Sequence, residues 1–155
     1  MTDPLPILTK LLGDKVVFIA WPKGIKGNDK KKWGYLTIDH MTKPYLDKLK
    51  DGNIGVALGE KSGGLCAIDI DQDDLVQPFL DSNPCLKATL QTHGARGRVF
   101  WVRFNGNYPK HMKKLKTQSG KPAGEFRSNG VQSIIWGIHP DTKKPYTHFT
   151  PSIFL

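Results

Sequence analysis

Apolar residues fall along this chain in short blocks, and Gly, Pro or Asn closes nearly every one. Val16–Ala20 is a continuous apolar run and reads as a buried strand. Ahead of it, the pattern from Asp3 to Leu12 predicts a short helix, with Asp3 as N-cap, Pro4 at the first position and Gly13 ending it. Trp21 to Trp33 has no periodicity and reads as a basic, glycine-containing loop. Lys43 to Lys50, carrying Tyr45, Leu46 and Leu49, predicts a second short helix stopped at Asp51-Gly52. Ile54–Leu58 is the next strand, closed by Gly59. A Gly63-Gly64 turn then leads into Leu65–Ile70, so the two strands follow each other as in a hairpin. Asp73 and Asp74 open a helix with Leu75, Val76, Phe79 and Leu80 at helical spacing, ended by Asn83-Pro84.

The second half is richer in strands. Lys87–Thr92 and Val99–Phe104 flank the turn His93-Gly94-Ala95-Arg96-Gly97, and Asn105 to Pro122 reads as a basic, mobile surface connection. Gly124–Arg127 and Val131–Trp136 are expected to pair around Ser128-Asn129-Gly130, an Asn-Gly hairpin signal. A last strand runs from Tyr146 to Phe149. No internal repeat or low-complexity linker interrupts the chain. These elements predict an α+β (mixed α/β) domain of two layers, dominated by antiparallel pairs, with helices packed on one face.

Length and charge narrow the function. A chain of 155 residues is most economically one domain, residues 1–155, with room for a proper core. With 38% hydrophobic residues and a mean hydropathy of −0.41, it lacks any apolar run near the ~20 residues that span a bilayer. Asp3, Pro4 and Pro6 break up the N-terminus where a secretory signal needs an apolar core. Cys66 and Cys85 lack the spacing of a metal knuckle and fit a reducing cytoplasm. A membrane partner is therefore not expected.

The net charge of +9 points instead to a polyanion, nucleic acid first and nucleotides second. The lysines cluster. Lys23, Lys26, Lys30, Lys31 and Lys32 share one loop; Lys110, Lys113, Lys114, Lys116 and Lys121 share another. Aromatics lie close to each (Trp21 and Trp33; Trp101 and Tyr108), as in a groove that tracks a backbone and stacks bases. Trp101 and Trp136 also suit a core.

Three polar sets sit next to strands. On a strand, Asp69 and Asp71 share one face about 7 Å apart, where two carboxylates can hold one or two hard cations. The same acids would also serve as solvated residues before a capped helix. The turn around His93, Arg96 and Arg98 has small residues that open backbone N–H groups to an anion, plus two guanidiniums. Glu125 and Arg127, two apart, share a strand face and could equally be a plain surface pair. Together these sets supply what nucleotidyl transfer needs: carboxylates for a divalent metal and cations for a triphosphate.

The ordered segments resemble a known family. Asn53-Ile54-Gly55-Val56-Ala57-Leu58-Gly59, Ser62-Gly63-Gly64-Leu65 and Ile68-Asp69-Ile70-Asp71 are similar to the signature of bifunctional primase–polymerase (prim-pol) domains of the archaeo-eukaryotic primase superfamily, found in plasmid, phage and bacterial replication proteins. Trp21-Pro22-Lys23-Gly24 with Trp33 resembles that family's N-terminal loop. Gly124 to Gly130, and Gly137-Ile138-His139-Pro140 with Tyr146, resemble its closing strands, so the likeness runs from about Val16 to Phe149.

The resemblance implies a sheet related to the RNA-recognition motif, with the acids on its open face. It implies that Asp69, Asp71 and Glu125 are catalytic and bind Mg²⁺ or Mn²⁺. Arg98, Arg127, His93 and His139 are then expected at the nucleotide, Arg98 standing where the family carries a histidine. Arginine can grip phosphate but cannot act as a near-neutral proton donor. Lys23, Lys31, Lys32, Arg96, Lys113 and Lys114 are expected along the template. The implied activity is template-dependent nucleotidyl transfer from nucleoside triphosphates on single-stranded DNA. Such domains are often joined to a helicase, so the chain reads as a stand-alone version or one excised from a primase–helicase. A non-catalytic nucleic-acid-binding relative and a metal-dependent nuclease are the alternatives.

Overall fold

The computed structural model describes residues 3–27, 29–109 and 112–149. Its elements run α1 (Leu5–Leu12), β1 (Phe18–Trp21), α2 (Lys43–Lys48), β2 (Asn53–Ala57), β3 (Leu65–Ile70), α3 (Asp73–Ser82), β4 (Leu90–His93), β5 (Arg98–Arg103), β6 (Met112–Lys116), β7 (Pro122–Arg127), β8 (Gln132–Trp136) and β9 (Thr147–Phe149). Helix α1 starts at Leu5, whose N–H is held by the Asp3 carboxylate at 3.0 Å; Gly13, with φ +88°, ends it. The α+β class holds, but the strands form two antiparallel sheets: β1-β2-β8, and β6-β7-β3-β5-β4-β9.

Both expected hairpins are corrected by this topology. Strand β2 pairs with β1 and β8, and β3 with β5 and β7, so the Gly59–Gly64 turn carries the chain from one sheet to the other. The buried Ser62 hydroxyl donates to the Ala57 carbonyl at 2.5 Å and accepts from the Val17 N–H at 2.9 Å, which pins the crossing. Strands β7 and β8 likewise lie in different sheets. Asn129 does not close a two-residue hairpin; its side-chain oxygen accepts from the Glu60 N–H at 2.8 Å and ties the second crossing to the first. Local turn signals mark where a chain reverses, not which sheet receives it. The basic connection from Asn105 to Pro122 is also corrected in part, since it contains strand β6, paired with β7. Lys110 lies outside the described residues.

Alternation along β3 sorts the layers. Leu65 and Ala67 join Leu90 and Trp101 of the large sheet, Val56 and Ile135 of the small one, and Leu8 and Leu12 of α1 in a core shared by both sheets. Ile68 and Ile70 point the other way. With Phe100 they receive Val76 and Leu80 of α3, each side chain contributing about 1.5–3 kcal/mol when fully buried. Val17, Ile19 and Ala57 on the outside of the small sheet are covered by Trp21, Trp33 and Leu36. Trp21 and Trp33 are therefore core residues rather than stacking platforms; Trp101 is buried too, its indole N–H donating to Thr92 Oγ1 at 3.0 Å. Among the described residues no helix is long and apolar enough to cross a membrane.

Candidate active site

Asp69 falls on the β3 face that Leu65 and Ala67 also occupy, toward the small sheet. Antiparallel register puts Glu125 of β7 on one side of it and Val99 of β5 on the other. Residues paired this way have Cβ atoms about 4.5–5.5 Å apart. The row continues outward to Lys114 of β6, opposite Glu125, and inward to Thr92 of β4, opposite Val99. Asp71 lies just past the strand, its N–H bonded to the Ala123 carbonyl at 3.0 Å. Two glycines allow this packing. A Cβ on Gly124 would collide with the Asp69 carbonyl, and one on Gly97 with the Ile70 carbonyl, and both glycines have positive φ.

Across the cleft, Gln132, Ser133 and Ile134 of β8 face Asp69, Thr92, Gly94, Val99 and Arg127, with Lys26 and Tyr146 completing the walls. Arg127 joins the two sheets. Its Nε donates to Ser133 Oγ at 3.0 Å, Nη2 to the Gln132 carbonyl at 2.8 Å and Nη1 to Glu125 Oε2 at 2.8 Å. Three of its five N–H donors are thus committed, and two remain.

The acids perturb one another. Burial, then the Asp71 charge, pushes the Asp69 carboxyl up to about 6; Glu125 adds to the rise, while Arg127 and Lys26 oppose it. Asp71 is raised by burial and by Glu125, with Arg96, Lys26 and Arg127 pulling the other way. Among the described residues, no three His, Cys, Asp or Glu side chains converge closely enough to hold a metal ion as they stand. Glu125 is turned onto Arg127.

The expected nucleotide ligands divide between the two faces of the large sheet. Arg127 is in the cleft. His139 stands beside it, buried, with Nδ1 accepting from the N–H groups of Asp141 at 3.2 Å and Thr142 at 3.4 Å. Burial lowers its pKa, which leaves a neutral ring packed on Tyr146 at 5.5 Å. Arg98 is not brought to the acids. It is paired with Ile70, not Asp69, so it faces α3, where it donates to Gln91 Oε1 at 3.0 Å and lies 4.2 Å from the Phe149 ring centroid. His93 lines the same hollow as Arg98, its Nδ1 donating to the Gly97 carbonyl at 2.8 Å. One residue of alternation makes the difference: the β5 side chain that faces Asp69 is Val99.

The expected template residues divide too. Arg96 is exposed on the turn and its charge reaches Asp71. Lys114 flanks Glu125, whereas Lys113 pairs with Phe126 on the α3 side. Lys31 and Lys32 lie on an exposed single turn whose Asp29 cap accepts from the Lys31 N–H at 3.1 Å. Lys23 lines a neighbouring cavity. The cation that enters the cleft is Lys26, which clustering alone could not single out among five loop lysines.

The family model for the N-terminal domain of bifunctional DNA primases/polymerases matches residues 19–152. The chain belongs to the prim-pol family. The match runs from within β1 through β9 and so takes in the whole cleft. Among curated proteins, none matches this prim-pol chain. DNA primase and polymerase chemistry is the family's province, and the cleft between the two sheets is where this member brings half-buried Asp69 and Glu125 together, with exposed Asp71 beside them.

Proposed function

We propose that the cleft is a nucleotidyl-transfer centre that makes or extends a strand on single-stranded DNA from nucleoside triphosphates. The observation that carries the reading is the row Glu125–Asp69 across β7 and β3, with Asp71 beside it, held in a half-buried cleft ringed by Lys26, Arg96 and Arg127.

The donors fit a hard divalent cation. They are all carboxylate oxygens, and the Asp69 carboxyl, pushed up to about 6 first by burial and then by the Asp71 charge, would gain from a bound cation. Asp69, Asp71 and Glu125 would hold Mg²⁺ or Mn²⁺, which when bound supplies activation of a 3′-hydroxyl and charge neutralisation on the departing pyrophosphate. The chain's own groups do the rest. Arg127, fixed by three hydrogen bonds, offers its two remaining donors to phosphate oxygens without having to be ordered first. Lys26 brings a mobile charge from the loop. His139 is neutral, so it serves as an uncharged wall and not as a fixed cation. Lys114, in line with Glu125, extends the positive track toward a template.

A second reading, a nucleic-acid-binding relative without chemistry, is favoured by two details: Val99 offers no polar group opposite Asp69, and Glu125 is paired with Arg127. One assay separates the readings. Labelled nucleotides, a single-stranded template and Mn²⁺ or Mg²⁺ should give extended products that Asp69→Ala and Asp71→Ala abolish. Template binding without products, indifferent to both changes, would leave only the binding role; shortened template would indicate a nuclease.

A further inference from the structure

On the face of the large sheet away from the acids, a groove of about 700 Å³ runs between α3 and β6. One wall is the helix stripe Leu75, Pro78, Phe79 and Ser82, at the i, i+3, i+4, i+7 spacing of a single face; the other is Leu115 and Lys116 of β6. We infer that this groove and the outer edge of β6 dock an extended acidic segment of another protein, which adds a strand to the large sheet. Such a segment would bind whether or not the cleft turns over nucleotides.

The edge is open. Strand β6 ends the large sheet and pairs only with β7 among the described residues, so its outer row of N–H and C=O groups has no strand partner there. The groove beside it is apolar along much of its length. Val76 and Leu80 turn from α3 into the core with Phe100; Leu75 and Phe79 touch that core with one flank, wall the groove with the other, and are only half-buried. Pro78 is exposed between them. Leu115 faces the same way, because it alternates with Lys114, which sits opposite Glu125 on the cleft side. A strand laid along β6 therefore drops every second side chain into the groove beside Leu75, Phe79 and Leu115.

Charge selects the occupant. Lys113, Lys114 and Lys116 are exposed and form no ion pair among the described residues. Lys116 is the charged side chain among those lining the groove; the α3 residues that line it are neutral, and Asp81, exposed on α3, accepts from the Gln77 side-chain amide at 2.8 Å. Acidic residues alternating with apolar ones would meet the lysines and Leu115 in turn, as favourable cross-strand pairs. A second copy of this chain does not suit the edge, since β6 on β6 sets lysines against lysines. Single-stranded DNA matches the charge but carries no row of amide groups to continue the sheet.

The probe is a synthetic peptide of about ten residues that alternates glutamate with valine. Added to ¹⁵N-labelled protein, it should shift the amides of Lys113, Leu115, Leu75 and Phe79, slow hydrogen exchange along β6, and bind more weakly as salt rises. A peptide alternating lysine with valine should not bind. Methylating the peptide's backbone nitrogens along one edge keeps every side chain but removes the donors to β6, and should weaken binding by roughly tenfold or more. Lys113→Glu and Lys116→Glu, exposed changes that leave the core untouched, should each weaken it several-fold, and Asp69→Asn should leave it unchanged. A glutamate–valine peptide that shifts neither β6 nor α3, an N-methylated peptide that binds as well as its parent, or affinity indifferent to both lysine changes would overturn the proposal. So would a single-stranded oligonucleotide that shifts Leu75 and Leu115 when the peptide does not, or self-association of the chain through β6 seen by sedimentation.

Discussion

Replacing Asp69 by asparagine should stabilise the metal-free protein, even though it removes a residue central to the proposed chemistry. In the folded chain this carboxyl titrates near 6, against 3.8 ordinarily, because ionising it means desolvating a charge beside Asp71 and Glu125. Between those values the folded state holds a proton that the unfolded chain has released. Stability attributable to Asp69 is therefore present below about pH 4 and lost as the pH rises through about 6. The gap corresponds to about 3 kcal/mol; solvent screening in an open cleft reduces this to roughly 1–2 kcal/mol. For a domain of this size that is roughly 3–6 °C in Tm. The assay is thermal unfolding of wild type and Asp69→Asn in EDTA across the acid-to-neutral range. The variant's advantage should be near zero at about pH 4 and greatest above about pH 7. Adding Mn²⁺ should raise the wild-type Tm, increasing with the logarithm of the Mn²⁺ concentration above its Kd, and leave the variant behind. An Asp69→Asn protein no more stable than wild type at neutral pH, or an advantage that does not grow with pH, would refute the electrostatic account of the cleft.

Other residues give independent tests. Arg127→Lys cannot reproduce contacts to Ser133, Gln132 and Glu125 at once, and should cost about 1–3 kcal/mol by chemical denaturation. Gly97→Ala drives a methyl group into the Ile70 carbonyl at φ +67°, so a loss above about 2 kcal/mol is expected from the same measurement. Lys114→Ala should lower the slope of log affinity against log salt for single-stranded DNA by about one, while Lys113→Ala, on the α3 side, should leave it nearly unchanged. Arg98→Ala should leave the nucleotide KM within about twofold of wild type, since Arg98 lies on the far side of the large sheet from Asp69.

Strand alternation pointed to Asp69 and Asp71 as candidates, and the family likeness added Glu125; the register of β3 and β7 then sets Glu125 opposite Asp69. The α+β class and most elements followed from local pattern. The division into two sheets did not, because Gly59 and Asn129 carry ordinary turn chemistry while their partners, Leu65 and Glu60, decide where the chain goes next. Strand β6 was hidden by composition: its lysines suit an exposed edge strand as well as a loop. Arg98 shows the limit most sharply. A motif position one residue from Val99 places a guanidinium on the wrong face, and only register reveals it. Lys26 and Tyr146 line the cleft through loop paths that no periodicity encodes.

The central claim is that carboxylates from two strands, β3 and β7, act as one centre, and Glu125 is where it is most exposed, since its carboxylate is bound to Arg127. Template extension by Glu125→Gln, with Arg98→Ala as the comparison, measures this directly. The account predicts a rate loss of roughly 10²-fold or more for Glu125→Gln, with Arg98→Ala near wild type. A Glu125→Gln protein that extends template at the wild-type rate would contradict it.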